Sequence, residues 1–89
     1  MKVRPNYPRA HNNLAIALSE IGNKNEALAE FREAIKGDPT YADAHCNLGA
    51  LLLQMGRRDE AISHLTEALR IKPDDEEVRT QLAQLGVHK

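Results

Sequence analysis

The segment AHNNLAIALSEIG, Ala10 to Gly22, returns 34 positions later (10 to 44) as AHCNLGALLLQMG, Ala44 to Gly56. A fixed period of this length constrains a chain more than composition does, because every unit must be a supersecondary element that can stack on a copy of itself. Set in register, 8–41 and 42–75 share Ala10/Ala44, His11/His45, Asn13/Asn47, Leu14/Leu48, Leu18/Leu52, Gly22/Gly56, Glu26/Glu60, Ala27/Ala61, Glu33/Glu67, Ala34/Ala68 and Pro39/Pro73 without a gap. Exchanges such as Ile21/Met55, Phe31/Leu65 and Ile35/Leu69 keep the same phase. Pro5 is in phase with Pro39 and Pro73. The organisation expected is therefore a tail of a preceding unit or an extension at 1–7, repeats at 8–41 and 42–75, and a capping helix with its tail at 76–89.

Within each unit the apolar spacing is helical. Leu14, Leu18 and Ile21 stand at i, i+4 and i+7, and Leu48, Leu52 and Met55 follow one period later. Each stripe ends at a glycine, Gly22 or Gly56, suited to the left-handed residue that closes a helix, and NKN or RRD then makes a short turn. A second stripe follows, Ala27, Phe31, Ala34 and Ile35, then Ala61, Leu65, Ala68 and Leu69, and proline stops each one. The last segment carries Asp74 or Asp75 as cap and Val78, Leu82 and Leu85 as an apolar face, its other side being polar. Small residues at Ala15, Gly49, Ala27 and Ala61 mark where helix backbones cross closely. The fold class expected is all-α, a solenoid of antiparallel helix hairpins with about five helices.

Composition narrows the partners. The formal charge is −1, and with two Tyr, one Phe and no Trp the chain has neither the positive field nor the aromatic platforms that hold nucleic acid. The longest apolar run, Ala50 to Leu53, is far short of the roughly 18 residues a membrane span needs. The polar N-terminus lacks the apolar stretch of a signal peptide, and Cys46 has no second cysteine to pair with, so a cytoplasmic location is expected.

Catalytic constellations are missing from the pattern. His11, His45, His64 and His88 lack metal-ligand spacing, and His11 and His45 read as packing residues at a site suited to a ring. Ser63 and His64 are adjacent on a helix and point about 100° apart, which rules them out as nucleophile and base. No phosphate-binding glycine loop is present. A non-enzymatic chain with no cofactor and no metal is expected.

The ordered set Leu14, Ala15, Leu18, Gly22, Ala27, Phe31, Ala34, Pro39, repeated as Leu48, Gly49, Leu52, Gly56, Ala61, Leu65, Ala68, Pro73, resembles the tetratricopeptide repeat. The phrases AHNNLA and AHCNLG are also similar to repeats of the O-linked N-acetylglucosamine transferases and of bacterial repeat proteins. The resemblance implies a superhelix whose concave face, formed by the first helix of each unit, holds a peptide segment of a partner protein. It places Asn12, Asn13, Ile16 and Glu20 on that face, followed by Cys46, Asn47, Ala50 and Leu53, then Thr80, Gln81 and Gln84. A carboxamide both donates and accepts, so Asn13 and Asn47 suit a guest's backbone, while Ile16, Ala50 and Leu53 supply apolar contact. The related repeats that clamp a C-terminal carboxylate need Lys and Arg where this chain has Asn12, Ile16, Glu77 and Gln81, so such a guest is not expected. Two further roles fit the same residues: self-association through the exposed ends, basic at MKVR and Arg9 and acidic at DDEE, or a substrate-positioning arm of a larger enzyme.

Overall fold

A computed structural model describes residues 7–86. Pro5, the basic residues of MKVR and His88 lie outside the described residues. Five helices follow one another: α1 (Pro8–Glu20), α2 (Lys24–Gly37), α3 (Ala42–Gln54), α4 (Arg58–Ile71) and α5 (Glu76–Gln84). Among the described residues there is no strand. α1 packs on α2 and α3 on α4 as antiparallel hairpins, α3 rests on α2, and α5 on α4. Contacts run between consecutive helices and between α1 and α3, so the molecule is long and thin, 43 × 25 × 17 Å.

The expected turns NKN and RRD are tighter than the sequence suggests, because α2 and α4 already begin at Lys24 and Arg58. Two backbone hydrogen bonds at each corner explain the economy. Asn23 N donates to Leu18 O at 2.8 Å and Gly22 N to Ser19 O at 3.1 Å; one period later Arg57 N donates to Leu52 O at 2.8 Å and Gly56 N to Leu53 O at 3.1 Å. These are the paired bonds of a Schellman end, which requires a left-handed residue, and Gly22 and Gly56 supply it with φ of 86° and 77°. The second helices end differently. Asp38 closes α2 in extended conformation before Pro39, and its Oδ1 accepts from Thr40 N at 3.1 Å, which starts the link to α3. Of the two candidate caps for α5, Asp75 serves, its Oδ1 accepting from Val78 N at 3.2 Å.

Packing follows the small residues. Ala15, Ala27, Gly49 and Ala61 are all buried at the crossings. A Cβ placed on Gly49 would stand 2.8 Å from Leu65 Cγ, so glycine there lets α3 approach α4 where Ala15 suffices between α1 and α2. Phe31, Leu48, Leu51 and Leu52 join these positions in one cluster, and Leu65, Ala68, Val78 and Leu82 form a second beneath α5. The stripe of α1 departs from expectation. Leu18 is half-buried against the first cluster, but Leu14 and Ile21 are exposed, because among the described residues no helix covers the side of α1 that corresponds to the α2-covered side of α3.

Thermal melting tests the crossings. Ala61→Leu and Ala27→Leu should each destabilise the chain by about 1–3 kcal/mol through overpacking. For a domain of this size that is a drop in Tm of roughly 4–20 °C, whereas the exposed Ala29→Leu should leave the melt almost unchanged.

Candidate functional site

The first helices α1, α3 and α5 line one flank of the stack. Between α1 and α3 this flank holds a cleft of about 160 Å³ lined by Ile16, Ser19, Glu20, Phe31, Asn47, Ala50, Leu51 and Gln54. That volume lies below the roughly 300–1,000 Å³ of pockets that enclose small molecules and suits a single side chain. Ile16 and Ala50 hold equivalent places in consecutive units, as do Glu20 and Gln54, so the lining follows directly from the period.

Of the residues expected on this face, Ile16, Glu20, Asn47 and Ala50 come together in the cleft. Asn12 does not join them as an open group. It is buried, and its Oδ1 accepts from Asn47 Nδ2 at 3.3 Å, so its side chain ties α1 to α3. Asn13 is exposed on α1 and is not among the residues that line the cleft. Cys46 and Leu53 are half-buried and do not line the cleft; Cys46 packs on the second cluster, and Leu53 packs against both clusters. Gln81 is half-buried on α5, while Thr80 and Gln84 are exposed. The register that pairs Asn47 with Asn12 sets Gln81 beside Cys46, where a thiol replaces the carboxamide, and Gln81 Oε1 is left buried without a hydrogen bond.

Ser19, Phe31, Leu51 and Gln54 are cleft residues that the sequence reading did not name. Ser19 and Gln54 follow Ile16 and Ala50 at helical spacing, a legible signal. Phe31 gives none, because it reaches the cleft from the second helix, where it reads as core.

Charge on the flank is mostly negative. Asp43 and Glu77 stand at equivalent places on α3 and α5, and Glu20 lines the cleft, against Arg9 alone at the corresponding place on α1. Burial, followed by the nearby carboxylates of Asp75, Glu77 and Asp43, pushes the Cys46 thiol above its ordinary value, so at neutral pH it is a protonated packing group and a poor nucleophile.

On the far side of the first helices the period produces a matched pair of polar contacts. His11 Nδ1 lies 2.6 Å from Glu30 Oε1, and at the same place one unit later His45 Nδ1 lies 3.2 Å from His64 Nδ1. His45 Nε2 is 2.9 Å from Pro39 O; a carbonyl only accepts, so Nε2 carries a proton and Nδ1 faces His64 as acceptor. Burial, then His45 and Arg32, hold His64 below its ordinary value, against the opposing pull of Glu60 and Glu67. The histidines thus fill ring sites as expected, but in the second unit they meet each other, which spacing within one helix could not reveal. Among the described residues no group of three or more His, Cys, Asp or Glu converges as a metal site.

Comparison with known proteins follows this geometry. A family model described as tetratricopeptide repeat matches residues 25–85, and a second of the same description matches 8–41. Comparison with curated protein sequences gives no match. Among solved structures, one titled "Crystal structure of MamA" superposes with a TM-score of 0.86 at 26% identity over 94% of this chain and 52% of that one. YrrB, titled "a TPR protein with an unusual peptide-binding site", superposes with a TM-score of 0.80 at 29% identity over 85% of this chain and 39% of its own. The chain therefore spans about half the length of these structures or less.

The depressed His64 gives a pH prediction. In the unfolded chain this ring takes up a proton near its ordinary value of about 6.5, whereas the folded chain resists it until lower pH. Between those points the unfolded state holds more protons, so stability falls as pH drops through them. Melting should show a lower Tm at about pH 5.5 than at about pH 7.5. His64→Glu, which rebuilds the His11–Glu30 contact at His45, should shrink or reverse that difference.

Proposed function

Because the chain belongs to the tetratricopeptide repeat family, we propose that its first helices form a non-catalytic docking face for a peptide segment of another protein. The observation that carries this reading is the α1–α3 cleft, where apolar Ile16 and Ala50 stand beside the carboxamide of Asn47. An extended peptide has a backbone N–H and C=O at every residue, and a side-chain-sized hollow flanked by a carboxamide engages both features of such a guest. One N–H of Asn47 Nδ2 goes to Asn12, which leaves its second N–H to donate to a guest's C=O and its Oδ1 to accept from a guest's N–H. Asn13, exposed on α1, is the second candidate, and Gln81 continues the row on α5. Asn12 contributes by holding Asn47 in place. Cys46 and Leu53 contribute by seating α5 so that its row continues the face.

The negative charge of Glu20, Asp43 and Glu77, against Arg9 alone at the equivalent place on α1, disfavours a guest that ends in a carboxylate. YrrB, described as having a peptide-binding site, supports the general reading. No described helix is long and apolar enough to cross a membrane, and a cytoplasmic location belongs to the same proposal.

A peptide array probed with the 89-residue chain, followed by titration of the best ligand, tests this. Ile16→Lys fills the cleft with a charged stem and should weaken binding at least about tenfold, or ~1.4 kcal/mol. Asn13→Ala/Asn47→Ala should cost a similar amount with the helical spectrum intact. Normal binding by the double variant would remove the carboxamides from the reading while leaving the cleft, and normal binding by Ile16→Lys as well would remove the cleft.

A further inference from the structure

The flank formed by α1, α3 and α5 is electrically uneven along its length. Arg9, Asp43 and Glu77 are equivalent residues of successive units, each exposed in the first turn of its helix. The sign at this place changes from plus to minus between α1 and α3 and stays minus on α5. A carboxylate in a first turn has an ordinary use, since it answers the partial positive charge of the free N–H groups. On α3 Asp43 is the one acid that can serve so. On α5 the same need is met by Asp75, whose Oδ1 accepts from Val78 N at 3.2 Å, and by Glu76 beside it, which leaves Glu77 over.

Neither Asp43 nor Glu77 forms an ion pair among the described residues, whereas on α4 Glu60 and Glu67 are answered by Arg32, Arg57 and Arg70. Their fields meet at Cys46. Burial first, then Asp75, Glu77 and Asp43, raise that thiol, and Lys72 opposes them. The polar atom left buried there without a hydrogen bond, Gln81 Oε1, is an acceptor as well. Between α3 and α5 the flank therefore presents carboxylates and an amide oxygen that want donors, next to an α1–α3 cleft that wants an apolar group. Guanidinium and ammonium groups donate only.

Resting on the docking reading above, we infer that the guest carries a basic side chain, Arg or Lys, which lies over Cys46 between Asp43 and Glu77 while an apolar side chain of the same segment fills the cleft beside Ile16 and Ala50. Arg9 repels the cation from the α1 end of the row and so fixes which way round the guest's charge lies. Cys46 is one helical turn from Ala50, and the α3–α5 groove is one helix spacing from the cleft, which makes roughly 11 Å between the two subsites. An extended guest advances about 3.1–3.4 Å per residue, so its basic and apolar residues stand about three or four positions apart. Those are also the spacings that put both side chains on one face, three in a polyproline II segment and four in a strand.

Fluorescence anisotropy with end-capped peptides of roughly twelve residues, titrated with the 89-residue chain to about 1 mM, tests this. Each peptide has a Ser/Ala background, one Leu, and Arg, Ser or Glu three or four positions to one side of it. The Arg peptides should bind about tenfold more tightly than the Ser ones, with the Glu ones weakest, and the gap should narrow in about 0.5 M salt. Asp43→Asn/Glu77→Gln, at two exposed sites, should bring the Arg peptides to the level of the Ser ones with the helical spectrum unchanged. Asp59→Asn, an exposed carboxylate on α4, should change nothing, which separates this site from net charge. Equal binding of Arg and Ser peptides, an Arg preference that survives the double neutralisation, or no binding by any of them overturns the inference and leaves peptide docking to the array. Affinities indifferent to Ile16→Lys remove the cleft, and the inference falls with the docking reading.

Discussion

The close crossing of paired helices at residues without bulk is the constraint from which the rest of the molecule follows. Gly49 against Leu65 on α3 and α4, and Ala15 and Ala27 on α1 and α2, set how near the two backbones come. Once that distance is set, the surrounding large residues have one way to interdigitate at interior density. The same crossing repeated after 34 residues (15 to 49) carries every other feature of the unit forward by a constant step. A row of equivalent side chains along the first helices is the geometric consequence, and the cleft lined by Ile16, Asn47 and Ala50 lies between two members of the row, α1 and α3.

Repetition also makes departures from it informative. Where the first unit joins His11 to Glu30, the second joins His45 to His64, so the same architectural contact is made with a carboxylate in one hairpin and with a second imidazole in the other. Where Asn12 receives Asn47, the thiol of Cys46 stands at the place corresponding to Asn12, and Gln81 Oε1 goes unpaired. Polar joints of this kind contribute about 1 kcal/mol each when satisfied and cost more when left open. The junction of α3 with α5 is therefore held chiefly by apolar contact through Leu53, Val78 and Leu82.

A stack held by nearest-neighbour contacts has ends, and each end must either be polar or find a cover. The C-terminal helix solves this within its own sequence by burying Val78 and Leu82 and facing water with Glu, Arg, Thr and Gln. On α1 the equivalent positions Leu14 and Ile21 are exposed, since among the described residues no helix lies over them.

Much of this was legible in the residues alone. The period, the helical spacing and the glycines before NKN and RRD determined five helices in two hairpins and a cap, since Schellman ends and small-residue crossings are local demands that only a few residue types meet. The sequence also placed Ile16, Asn47 and Ala50 on one flank, because helical periodicity fixes which residues share a face. What it could not decide was which of those residues remain available. Leu14 and Leu48 are identical in type and register, yet one is exposed and the other buried. Asn12 is consumed by Asn47, Phe31 reaches the cleft from another helix, and His45 meets His64 across a hairpin. Exposure and pairing belong to the neighbours a residue acquires when helices stack, and a linear pattern records spacing within a helix but not which helix comes to lie over it.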